Sequence, residues 1–161
     1  MLEIKEYAKR NESDVKDLLV ELQKHLTSLD KRGVLTLKES FRDGYFDYVQ
    51  KEVRIHNGII FVAERDEKAI GCIICKIFCG GGESEFTTVC PKVGFISDLV
   101  VKCEERGKGI GKLLIKSAEE YFKDNNCEYV QLEVFKPNAN AKELYEKLGY
   151  EDICIYMSKR L

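Results

Sequence analysis

The sequence predicts a single mixed α/β domain with a largely antiparallel sheet, and three observations carry that expectation. Some segments alternate apolar and polar residues with period two, while others repeat apolar residues at helical spacing. The segments run β-α-α-β-β-β-α-β-α-β, so helices interrupt a strand series instead of alternating strictly with it. The 161 residues are one domain's worth of chain, 1–161, since single domains hold roughly 100–200 residues. A 44% hydrophobic and 34% charged composition excludes disorder, collagen and a membrane span. The opening MLEIKEYAKRNESD carries acids early and has no apolar signal core, which predicts a cytoplasmic protein. With 26 basic and 28 acidic residues interspersed, for a net charge of −2, neither a nucleic-acid nor a membrane partner is expected.

Residues 2–7 alternate around Leu2 and Ile4 and read as a first strand. Asn11 or Ser13 can cap a helix bearing Val15, Leu18, Leu19, Leu22 and Leu26. Thr36-Leu37-Lys38-Glu39 matches a capping box, predicting a second helix with Phe41, Tyr45, Tyr48 and Val49 on one face. After Asn57-Gly58 the pattern turns to strands, with 59–64 and 69–78 flanking Asp66-Glu67 as a tight hairpin. Gly80 to Gly82 opens a loop, and residues 93–102 form a fourth strand. Residues 109–124 form a helix with Ile110, Leu114, Ala118 and Phe122 in one row, Leu113 and Tyr121 beside it. A strand over 128–134, a helix begun by Asn138 or Asn140 and stopped by Gly149, and a last strand over 153–158 complete the chain.

Seven cysteines, at 72, 75, 79, 90, 103, 127 and 154, invite a metal reading through Cys72, Cys75 and Cys79. The only histidines, His25 and His56, lack ligand spacing. In an extended segment Cys72 and Cys75 point to opposite faces. The expectation is therefore reduced thiols and no metal.

The stretch with most chemistry is Arg106-Gly107-Lys108-Gly109-Ile110-Gly111-Lys112, between a strand and an amphipathic helix. Alternating glycines let the backbone turn so that successive amides face one point, and the helix start adds unpaired amides and its positive dipole end. That is a cradle for a phosphate or pyrophosphate. A Walker A loop is excluded, because Arg106 replaces its first glycine and Leu113 its Ser/Thr. The dinucleotide fingerprint fails at Lys112, where a third glycine is required.

Leu99-x-Val101 followed by Arg106-x-x-Gly109-x-Gly111 resembles the acyl-CoA-binding signature of the GCN5-related N-acetyltransferase (GNAT) family. Asn138-x-x-Ala141-x-x-x-Tyr145-Glu146-Lys147-Leu148-Gly149-Tyr150 resembles the same family's closing motif. The resemblance is residue by residue over 94–150 and only one of element order over 1–93. It implies the acyl-CoA N-acyltransferase fold, a mixed sheet of about seven strands flanked by helices and splayed between strands 4 and 5. It further implies that acetyl-CoA's pantetheine arm lies along Leu99, Val100 and Val101 as an added strand does. The pyrophosphate would rest on the backbone of Arg106, Gly107, Lys108, Gly109, Ile110, Gly111 and Lys112, with Asn138 near the acetyl end. Lys108, Lys112 and Lys142 are candidates for the 3′-phosphate.

Tyr145 stands where family members commonly protonate the departing thiolate. A phenol of reference pKa ~10 stays protonated at neutral pH beside a thiol of ~8.5. On its helix alone, beside Leu144, Tyr145 also reads as core. Glu133 and Asp98 are alternative bases for the incoming ammonium, and each could equally be a solvated strand carboxylate. Cys103 replaces a proline frequent after the family's fourth strand. The Gly80–Gly82 loop and Phe41, Tyr45 and Tyr48 are candidate acceptor walls, the aromatic row being equally suited to core. The implied activity is acetyl transfer to a primary amine, on a small molecule or a peptide, by a monomer or homodimer. The alternatives are a non-catalytic acyl-CoA-binding or regulatory module and a nucleotide-binding domain of another class.

Overall fold

The computed structural model describes residues 1–79 and 92–160, so Gly80 to Gly82 and Cys90 lie outside the described residues. Within them the elements are β1 (Leu2–Glu6), α1 (Glu12–Leu29), α2 (Phe41–Ile55), β2 (Ile59–Arg65), β3 (Lys68–Phe78), β4 (Val93–Val101), α3 (Ile110–Asp124), β5 (Tyr129–Leu132) and α4 (Ala139–Lys147). The strands form one sheet in the order β1-β2-β3-β4-β5. The first three pairings are antiparallel, and β4 pairs with β5 in parallel across the α3 crossover.

The two-residue β2–β3 hairpin has positive φ at both Asp66 (50°) and Glu67 (64°), the combination whose twist matches paired strands. Alternation along the strands then divides the core in two. Ile60, Val62, Ala69, Cys72, Ile74 and Val100 pack against Val15, Leu18 and Leu19 of α1 and Phe46 and Val49 of α2. Ala63, Ile70, Ile73, Cys75, Ile77 and Ile96 pack against Ile110, Leu114, Ile115, Ala118 and Phe122 of α3. Cys72 and Cys75 thus belong to opposite layers. Among the described residues no group of three or more His, Cys, Asp or Glu could hold a metal ion, and no helix is long and apolar enough to cross a membrane.

Ile74 lies opposite Asp98 and Cys75 opposite Ile96, leaving Ser97 as the extra residue of a β-bulge. One unpaired residue reverses the facing of the side chains after it. Ile96 packs with α3, yet Asp98, two residues on, meets Tyr45 of α2. Pairing with β5 also ends here, its last pair being Ile96 and Leu132.

Several expectations are corrected. Five strands are present among the described residues, not about seven, and 153–158 forms no strand. Ile153, Ile155, Tyr156 and Met157 are instead exposed. The polar contacts of that segment run from Asp152 to Lys142 and from Ser158 to Arg32, not to a strand edge. The second helix begins at Phe41, after Ser40. The capping-box segment is held as a loop because Asp30 accepts the amides of Arg32, Val34 and Leu35, and Gln23 donates to the Thr36 carbonyl. The strand expected over 128–134 ends at Leu132. On α3 the buried seam includes Ile115, while Leu113 is exposed.

Glu64 ties β2 to the start of α1. Its buried carboxylate accepts from Lys5 (2.9 Å), Arg10 (3.1 Å) and Asn11 (3.0 Å). Led by the Lys5 and Asn11 bonds, these partners hold its pKa down at about 2. A depressed carboxyl adds stability above its unfolded pKa and loses it as pH falls through the folded value. Glu64→Gln should therefore be less stable than wild type at pH 7, the gap closing between about pH 4.5 and 2, as read by denaturant unfolding across pH. Gly94 presses its backbone on α3, where an added Cβ would lie 2.3 Å from Phe122 Cγ, a ring buried to 1% exposure. Gly94→Ala should cost about 1–3 kcal/mol by overpacking, seen as a lower Tm.

Candidate active site

The glycine-rich turn follows β4 through a short helical turn, Cys103–Glu105. Gly107 (φ 75°) and Gly109 (φ 80°) are left-handed, and a Cβ at either would meet nothing within 4 Å. The glycines serve the backbone path, not a tight fit. The amide of Arg106 donates to the Cys103 carbonyl at 3.3 Å. Among the described residues, the amides of 107 to 112 donate to no main-chain carbonyl or side chain. The open cradle therefore runs Gly107, Lys108, Gly109, Ile110, Gly111, Lys112, one residue shorter than the sequence suggests. It sits where α3 begins, so the dipole of a 15-residue helix adds to it.

Side chains around the turn divide. Ile110 is buried in the α3 core, which leaves only its main chain for a ligand. The Arg106 guanidinium donates to the Val101 carbonyl and to Glu21 of α1, both at 2.9 Å. Lys108 pairs with Glu105, which also accepts Arg65 at 2.8 Å through each oxygen. Lys142 pairs with Asp152 and Glu146. Lys112 is exposed. Leu99 and Val101 point into the α3 layer and Val100 into the α1–α2 layer. The main chain of 97–101 has a strand partner only on the β3 side among the described residues.

The downstream motif comes to the same place. A Cβ on Gly111 would touch Leu144 Cδ2 at 3.4 Å, so α4 crosses the start of α3 there. Asn138 is the N-cap of α4, and its amide donates to the Phe135 carbonyl. Tyr145, one residue on from Leu144, packs edge-on against Tyr150 with centroids 5.8 Å apart. Burial, and then the Asp98 charge, push its phenol up to about 12, so it is protonated at neutral pH. Among the described residues its hydroxyl has no hydrogen-bond partner, whereas Tyr150 donates to Glu119.

The two carboxylates part company. Glu133 lies just beyond the end of β5 and is exposed. Asp98 is 8% exposed, with the Tyr45 hydroxyl 3.0 and 3.2 Å from its two oxygens. Burial pushes the Asp98 carboxyl up, opposed by Ser97, Tyr45 and the charge of Lys76. Lys76, missed in the sequence, is itself buried, its Nζ 3.5 Å from Glu52 and over the Tyr48 ring. The signal was there: one lysine within the apolar run 69–78. Phe41 and Tyr45 stack at 4.8 Å and, with Tyr48, line a cavity of about 300 Å³. A larger cavity of about 680 Å³ opens at the other end of the sheet, between Lys92 before β4 and Asn125 after α3.

Residues 21–150 match the Acetyltransferase (GNAT) family. The chain belongs to that family. The GNAT chain is 38% identical over 93 residues to an uncharacterised N-acetyltransferase of Methanocaldococcus jannaschii, covering 57% of this chain and 52% of that protein. It thus spans about half of that relative's length. It is 32% identical over 130 residues to glucosamine 6-phosphate N-acetyltransferase of Arabidopsis thaliana, covering 79% of this chain and 83% of that one. A mutant form of a Bacillus halodurans protein shares the fold with a TM-score of 0.80 and 22% identity, over 99% of each chain.

Gly109→Ala would place a side chain at φ 80° without a clash. The backbone must then strain by about 1–2 kcal/mol or change path. CoA affinity by calorimetry should fall about tenfold, since ~1.4 kcal/mol is one decade, and Tm should drop only slightly.

Proposed function

We propose that the GNAT chain moves the acetyl group of acetyl-CoA to a primary amine, by direct attack within a ternary complex. The observation that carries this reading is that the unengaged amides of 107–112 follow the single-sided half of β4 and are crossed by α4 at Gly111, with Tyr145 of α4 close enough to Asp98 for its phenol to feel that charge. The residues present suit the cofactor: consecutive unengaged amides at a helix start match a diphosphate's charge and width. Acetyl-CoA would supply the thioester.

The chain's own groups would do the rest. The amides of 107 to 112 fix the diphosphate, with Lys112 as the exposed cation for the 3′-phosphate and Asn138 near the acetyl end. The single-sided edge of Leu99 to Val101 receives the pantetheine arm between β4 and β5, where the sheet would splay. A β4 amide beside the Ser97 bulge polarises the reacting carbonyl. Asp98 or Glu133 takes a proton from the ammonium, and Tyr145 gives one to the leaving sulfur, which its protonated state at neutral pH supports. No metal or nucleic acid enters, and the acceptor is a small amine or a peptide N-terminus met in the cytoplasm by a monomer or homodimer.

Thiol release from acetyl-CoA is the assay, with glucosamine 6-phosphate, spermidine and a short peptide as acceptors. Tyr145→Phe should lower kcat about 100-fold while leaving CoA affinity within about twofold. Undiminished turnover in the variant would remove the acid role. Tight CoA binding without turnover on any acceptor would instead favour a binding module, and equal affinity for CoA, ATP and NAD a nucleotide-binding domain.

A further inference from the structure

Asp98 has one strong partner from across the core. Tyr45 of α2 is part-buried, stacked on Phe41 at 4.8 Å, and its hydroxyl lies 3.0 and 3.2 Å from both carboxylate oxygens. That geometry depends on the Ser97 bulge, without which Asp98 would face α3 as Ile96 does. The same Tyr45 lines the 300 Å³ aromatic cavity. An ammonium is attracted to aromatic faces, and the phenol that walls this cavity, which Lys38 also lines, donates to the buried carboxylate of Asp98. Glu133 has no such partner among the described residues and stands exposed beyond β5.

We infer that Tyr45 is a positioning residue for Asp98, and that Asp98 so held, in preference to Glu133, takes the proton from the acceptor's ammonium. This rests on the acetyltransferase reading above. In the step an ammonium N–H bond would break and its proton pass to Asp98, which becomes the neutral acid. The electron pair left on nitrogen would form the C–N bond as the C–S bond breaks, the sulfur taking the Tyr145 proton and the nitrogen's second proton restoring that phenol. With Ser97 and Lys76, Tyr45 favours the ionised carboxylate against the burial that raises it, and its ring belongs to the aromatic wall that attracts a charged amine.

The groups facing Asp98 bound what pH can do. Tyr45 and Tyr48 approach from α2, Cys72 and Lys76 from β3, and Tyr145 from α4, with Ser97 beside it on β4. Burial and the carboxylate raise Tyr45 far above the usual phenol range, and burial likewise raises Cys72. Both therefore stay protonated across the working range, and Asp98 is the member of the group whose charge changes at acidic pH.

The test joins two measurements on the full chain. Carbon-13 carboxyl NMR follows Asp98, identified by loss of its signal in Asp98→Asn. The pH profile of kcat/KM uses glucosamine 6-phosphate, spermidine and a short peptide. In wild type the acidic limb should coincide with the Asp98 midpoint. Tyr45→Phe keeps the ring stack and removes only the donor, so limb and midpoint should rise together by about one unit, about a tenfold loss of kcat/KM below the limb. A merely structural Tyr45 would lower activity evenly across pH and leave the limb in place, overturning the inference. A wild-type limb away from the Asp98 midpoint overturns it too, without need of the variant. Turnover in either of those cases leaves the acetyltransferase reading standing. No wild-type turnover on any of the three acceptors overturns both.

Discussion

One surplus residue in β4 governs the working half of this molecule. Ser97 has no opposite number in β3, so the strand's two halves present different faces. Before it, Gly94 and Ile96 lean on α3. After it, Asp98 turns to α2 while the main chain runs on without β5 alongside. A bulge disrupts the ladder locally, and here the pairing with β5 is missing from the bulge onward. The cores on either side of the sheet hold that arrangement in place. A register slip would drive Asp98 into the layer of Ile110, Leu114 and Phe122, where no partner awaits its charge.

The glycine turn solves a complementary problem. Buried amides must find partners, but amides at an exposed helix start can wait for a ligand. Gly107 and Gly109 bring the chain from β4 into α3 by two left-handed residues, and Leu144 of α4 lies beside Gly111 on the same turn. That approach places Tyr145 on a helix with no fully buried residue of its own. The motifs around 106 and 145, separated in sequence by a helix and a strand, are therefore neighbours through the packing of Leu144, Tyr145 and Tyr150 on the α3 layer and the Tyr150–Glu119 bond.

The sequence was most legible where its physical signals were strongest. Strands and helices with clear periodicity could be read, as could the hairpin at Asp66-Glu67 and the turn at 107–111. The start of α2 could not, because Thr36 and Glu39 imitate a cap while Asp30, six residues before Thr36, secures that stretch from a distance. The strand expected over 153–158 failed because alternation alone does not provide an edge to pair with. Phe46, buried at 1%, is a core residue of α2 that the row of Phe41, Tyr45 and Tyr48 does not include. The Tyr45–Asp98 bond joins residues 53 positions apart, and such a contact leaves no local trace. It depends on the bulge, and no propensity announces a bulge at Ser97.

Glu21 gives the molecule a connection across its layers. One carboxylate oxygen on α1 accepts both the Cys103 amide and the Arg106 guanidinium, each at 2.9 Å. The first helix is thereby stapled to the loop that leads into the anion cradle. That cradle cannot shift its entry without pulling on α1, whose other side is locked into the sheet by Val15, Leu18 and Leu19. The glycine-rich turn is thus anchored to the half of the chain that its own motif says nothing about.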